Sequence, residues 1–126
     1  MVNTAQALYE FWSGFGIPAY TTDTVPDEDE NGDPVVPPYI TYSLVETEPF
    51  ESATHYAQVW YASTSNAELS RKVDEIKEAI GDGVRIDCDG GVVVIRQSTP
   101  FSQVNVDQDP VNRYAYLNLQ LNCHHK

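Results

Sequence analysis

A run of alternating side chains near the C-terminus constrains this chain more than any other feature. From Val111 to Asn122, Arg113, Ala115, Leu117, Leu119 and Leu121 fall on one side, and Tyr114, Tyr116, Asn118, Gln120 and Asn122 on the other. That period of two belongs to an extended strand and predicts the longest strand of the domain. A second run, about Ala53 to Ala62, opposes Ala57, Val59 and Tyr61 to Tyr56, Gln58 and Trp60. Both of its faces carry bulk, so one face is expected in the core and the other against a partner.

The remaining segments supply what such strands need. Ala5, Leu8, Phe11, Trp12 and Phe15 recur at helical spacing behind Thr4, and Gly14, Gly16 and Pro18 end the pattern, which predicts a short helix docked on a sheet. Ser65 and Glu68 fit a capping box, followed by a narrow stripe of Leu69, Val73, Ile76 and Ile80 and a C-terminal Gly81. Further strands are expected at Ile17 to Thr22, Tyr39 to Val45, Val84 to Asp87 and Val92 to Gln97, the last two joined by a tight turn at Cys88-Asp89-Gly90-Gly91. Ser98 to Asp109, bounded by Pro100 and Pro110, reads as irregular. The expected fold class is α+β: a single domain over residues 1–126, with a mainly antiparallel β-sheet flanked by two α-helices.

At 126 residues the chain is long enough for one core without staples. It carries 7 basic and 19 acidic side chains, a net charge of −12, and none of the basic ones precedes Arg71. Nucleic-acid binding through phosphates and attraction to acidic membranes are both disfavoured by that balance. No stretch approaches the roughly 18 apolar residues of a membrane span, and Met1-Val2-Asn3-Thr4 lacks the start of a signal peptide, so synthesis in the cytoplasm is expected. Cys88 and Cys123 lie far apart without a framework and read as reduced and inert.

The acidity is concentrated in a Pro- and Gly-bearing segment at about 23–37, expected to be a flexible surface loop, with Asp27, Glu28, Asp29, Glu30 and Asp33. Asp27, Asp29, Asn31 and Asp33 around Gly32 match the first half of a calcium loop. The second half departs from it, with Pro38 where a bidentate Glu belongs, and a solvated acidic loop is the plainer reading. Cys123-His124-His125 is one ligand short of a structural zinc site. The Gly-x-Gly pairs follow helices instead of opening them, and no nucleophile stands beside a base at a telling spacing. Neither an enzyme nor a cofactor is expected.

Phe15-Gly16-Ile17-Pro18-Ala19-Tyr20, Pro38-Tyr39-Ile40-Thr41-Tyr42, Val59-Trp60-Tyr61 ahead of the Ser65 helix, Ser98-Thr99-Pro100-Phe101-Ser102-Gln103 and Arg113-Tyr114 together resemble the tail terminator, or tail completion, proteins of long-tailed bacteriophages. The resemblance covers roughly residues 9 to 121. It implies a virion structural protein, located at the tail-neck junction and in the host cytoplasm during assembly. Copies of the chain would form a ring, typically hexameric, that caps the tail tube, stops its growth and meets the head-neck completion protein. Genomic DNA would pass through without specific binding.

Within that reading, Tyr56, Trp60, Tyr114 and Tyr116 offer aromatic area of the kind interfaces favour, unless the rings cover a helix instead. Pro100, Phe101 and Gln103 are candidates for contact with a subunit or the tail tube, or for a fixed internal loop. The acidic loop would line the lumen or the rim. A different head-tail joining or minor capsid component, and an acidic DNA-mimic inhibitor, are the alternatives.

Overall fold

The computed structural model describes residues 4–22, 25–43, 52–62, 65–88, 91–106 and 112–125. The elements run α1 (Thr4–Ser13), β1 (Ala19–Thr21), β2 (Tyr39–Tyr42), β3 (Ser52–Ala62), α2 (Ala67–Ile80), β4 (Val84–Cys88), β5 (Gly91–Val106) and β6 (Asn112–His125). They form one six-stranded sheet in the order β1-β2-β3-β6-β5-β4, antiparallel throughout except for the β1–β2 pair. The expected α+β class holds.

The alternation in β3 and β6 works as periodicity requires. Ala57 pairs with Leu117 and Val59 with Ala115, so their side chains share one face and are all but inaccessible. Onto this inner face α1 lays Ala7, Leu8 and Trp12, and α2 lays Leu69, Val73, Ile76 and Ile80, forming one core with Ile40, Tyr42, Val93, Ile95, Leu119 and Leu121. Six strands at about 4.8 Å spacing span more than a ten-residue helix of about 15 Å can reach across a flat sheet. Yet α1 touches both β1 and β4, the two edges. The sheet therefore curls around its helices, and a Lys72 ammonium bonded to the Phe15 carbonyl (2.7 Å) ties α2 to the end of α1.

Three local expectations are corrected. Helix α2 starts one residue later than a Ser65 capping box implies: Asn66 is the N-cap without a side-chain cap bond, and the Ser65 hydroxyl accepts from the Ala67 amide at 3.1 Å. The stretch expected to be irregular after Gln97 resumes as strand. Gln97 pairs with Leu119 and Ser102 with Leu117, so three extra residues are absorbed between them and pairing continues to Val106. In consequence β5, at 16 residues, is longer than the 14-residue β6.

Within the acidic segment, residues 27–35 are not featureless. Val35 and Asp27, then Asp29 and Asp33, bond across a miniature hairpin, with Gly32 at φ 81° in its turn. The side chains of Cys88, Cys123, His124 and His125, and the turn residues Asp89 and Gly90, lie outside those described.

Candidate interaction surface

The face of the sheet away from the helices collects the aromatic candidates. Register places Tyr39 opposite Trp60 and Trp60 opposite Tyr114, while Gln58 faces Tyr116 and Tyr56 faces Asn118. Their rings touch in sequence across four strands. Tyr20 meets Tyr39 at 6.0 Å between centroids, Tyr39 meets Trp60 at 6.2 Å, and Trp60 stacks on Tyr114 at 4.5 Å. Tyr56 and Tyr116 pair beside them at 5.4 Å.

Polar ends are satisfied within the ladder. The Trp60 indole N–H donates to the Thr41 hydroxyl (3.2 Å), which in turn donates to the Gln58 amide oxygen (3.0 Å). Burial, with the nearby Tyr56 phenol adding to it, pushes the Tyr116 hydroxyl above its ordinary range. Both helices bury their apolar stripes in the core on the opposite face, so these rings do not cover a helix.

Among the described residues, the part of this face formed by β1, β2, β3 and β6 carries no charge. Tyr20, Tyr39, Thr41, Thr54, Tyr56, Gln58, Trp60, Tyr114, Tyr116, Asn118 and Gln120 are all neutral, as are Gln103 and Asn105 opposite Tyr116 and Tyr114. The outward charges among the described residues belong to the far strands: Arg96 on β5, and Arg85 and Asp87 on β4. A concavity of about 210 Å³ opens at one end, lined by Thr22, Ser43, Tyr56, Ala57, Gln58 and Tyr116.

The candidates after Gln97 separate. Of the two readings of Phe101 the internal one agrees with the structure and the contact role is corrected: the residue is 8% exposed and packs in the core, next to the register shift between Gln97 and Ser102. Pro100 is exposed, and its carbonyl accepts from the Asn118 side chain (2.9 Å) beside Tyr56. Gln103 is exposed on the aromatic face, in the part of β5 that β4 does not reach.

In the acidic turn, one Asp29 carboxylate oxygen accepts from the Asn31 and Asp33 amides at 2.8 and 3.0 Å. The calcium-like spacing of Asp27, Asp29, Asn31 and Asp33 thus serves a local Asx-type turn. Among the described residues no three His, Cys, Asp or Glu side chains converge as metal ligands. Glu28, Asp29 and Glu30 flank a groove of about 470 Å³ shared with Tyr9, Ser13, Pro18 and Tyr20, which sets the turn beside α1 and the β1 edge.

His55 is fully buried, as is nearly all of Thr41. Trp12 Nε1–H donates to His55 Nε2 (3.0 Å), which fixes the proton on Nδ1, and Nδ1 then faces the Ser43 hydroxyl at 3.1 Å. In that tautomer the ring cannot take a proton from Ser43, so the pair is no nucleophile and base. Burial lowers the His55 pKa to about 4, opposed in part by Ser43. A lone histidine between Thr54 and Tyr56 near a strand start carries no sequence signal that its partner is a tryptophan 43 positions away.

Comparison with protein-family models, with curated proteins and with solved structures finds no match to this chain.

Proposed function

We propose that this chain is a virion structural protein of the tail-terminator kind: copies of it form a ring, of order six by the resemblance, that caps a tail tube and joins it to the neck. The observation that carries the reading is the uncharged aromatic face. A chain of net charge −12 that met only water there would be expected to place carboxylates on it; their exclusion is the composition of an interface core. Like-charged copies also repel, and a neutral contact is where that repulsion is least.

Two further features support assembly over chemistry. Ring closure requires two different surfaces on each copy, and the acidic hairpin, beside α1 and the β1 edge, adjoins the aromatic face at its Tyr20 end without being part of it. The buried Trp12–His55–Ser43 chain has the proton arrangement of a structural network. An acidic DNA-mimic draws no comparable support, because Asp29 spends its carboxylate on its own turn.

The test is the mass of the purified protein by light scattering over a range of concentrations, with negative-stain images of the same fractions and binding to isolated tail tubes. Six chains of 14.1 kDa make a ring of about 85 kDa that decorates one end of a tube. A chain that neither assembles nor binds tubes overturns the reading.

A further inference from the structure

We propose that the aromatic face of one copy receives the acidic hairpin of a second copy, with Val36 seated in the concavity at Tyr56 and Tyr116 and the hairpin carboxylates against Arg96 and Arg85. The contact deepens the ring reading and rests on it for the presence of a second copy.

The knob is built for presentation. Val36 is 63% exposed, the most exposed of the large hydrophobic side chains among the described residues. Pro34 precedes it and Pro37-Pro38 follow, so the backbone around it is already restricted and loses little freedom on docking. The concavity has no charged lining residue and room for an isopropyl group beside a proline ring.

A protomer does not fill its own concavity: Val36 is absent from the lining and stays exposed. Val36 precedes the first residue of β2, whereas Ser43, at the concavity, follows the last. The four residues of β2 that lie between them advance the chain about 13 Å. The occupant therefore comes from another chain, and knob and concavity, being different surfaces, make a head-to-tail contact of the kind that closes rings.

Charge completes the match. The one ion pair among the described residues is Lys72–Glu75, so Arg85, Arg96 and the hairpin carboxylates of Asp27, Glu28, Glu30 and Asp33 form none there. Arg96 lies two strands across and two residues along from Tyr56, about 12 Å. The hairpin tip at Glu30 and Asn31 lies about 15 Å from Val36 by chain length, a comparable reach.

Light scattering on the full chain, Val36→Asp and Tyr56→Glu, each checked for native circular dichroism, decides it. Both substitutions lie on exposed side chains and leave the core intact. Each alone is expected to raise the concentration needed for assembly about tenfold or more. Mixed in equal amounts they retain one good knob and one good concavity per pair, and the mass should stop at about 28 kDa, two chains of 14.1 kDa.

Arg96→Glu should weaken assembly less, and high salt should erase its difference from the unsubstituted chain. A ring that Val36→Asp leaves unchanged overturns this contact while the ring reading stands. A mixture that stays monomeric also overturns it. An unsubstituted chain that remains monomeric to millimolar concentration overturns the contact between free copies, and tube binding then judges the ring reading separately.

Discussion

The two faces of this sheet are built from the same strands and are covered in opposite ways. On the inner face Leu117, Leu119 and Leu121 are sealed by two helices and have no accessible surface. On the outer face Tyr114, Tyr116 and Trp60 are covered only in part, by one another and by Tyr39 and Tyr56. A closed apolar layer secures folding, whereas a neutral, half-covered layer leaves area to be buried by another molecule. The contrast separates stability from assembly residue by residue along a single strand.

Neighbours on β6 test it most directly. Leu117→Ala opens a cavity between the sheet and its helices and should cost about 3 kcal/mol, read by urea denaturation. Tyr116→Ala, one residue away on the other face, should cost about 1 kcal/mol in the isolated chain, because only part of its ring packing is lost. Equal losses would mean that the outer face is as integral to folding as the inner one, and the comparison would fail.

Acid probes the inner face from a different side. With His55 held at about 4 in the folded protein and at the ordinary 6.5 when unfolded, the unfolded chain takes up its proton first as the pH falls. The contribution of His55 is complete above pH 6.5, shrinks between 6.5 and 4, and is gone below that, a loss of about 3 kcal/mol over the window. Urea denaturation at half-unit pH steps should show this slope. His55→Gln, less stable at neutral pH for lack of the Trp12 and Ser43 bonds, should lose it. A variant retaining the full slope would move the acid sensitivity to other groups.

Much of the inner face was legible in the sequence because hydrophobic periodicity is a local signal. The α2 stripe of Leu69, Val73, Ile76 and Ile80 is buried as spacing alone predicts, and both faces of β3 fall where alternation puts them. Residues whose placement depends on distant partners were not legible. Phe101 follows two residues of polar and proline character, yet it packs in the core next to the three-residue excess between Gln97 and Ser102. Aromatic side chains on β1, β2, β3 and β6 were readable as outward or inward along each strand, but their alignment into one ladder is a property of register, set by the pairing of residues as far apart in the chain as Ser52 and Asn122.

The ladder's polar anchor gives the next smaller effect. Thr41 Oγ1 both accepts from Trp60 and donates to Gln58, so Thr41→Val strands the indole N–H and the amide oxygen at a half-buried site. A loss of about 1 kcal/mol is expected in the monomer. If the rings are held for a partner, assembly should suffer more than folding does, since Trp60 loses the bond that orients it. A Thr41→Val chain that assembles normally would detach ring orientation from assembly.

The smallest effects belong to the acidic hairpin, and they distinguish carboxylates that shape the turn from those that face outward. Asp29→Ala removes an acceptor shared by two backbone amides and should cost up to about 1 kcal/mol if the turn is coupled to the fold. Glu30→Gln removes a charge with no bond of that kind and should change stability by less than about 0.5 kcal/mol. The order should invert for assembly measured at low salt, where Glu30→Gln lowers the charge available to Arg96 and Arg85 while the turn keeps its shape. Should Glu30→Gln destabilise the monomer more than Asp29→Ala does, the carboxylate of Glu30 serves its own chain, and the hairpin loses its role as the charged half of a contact.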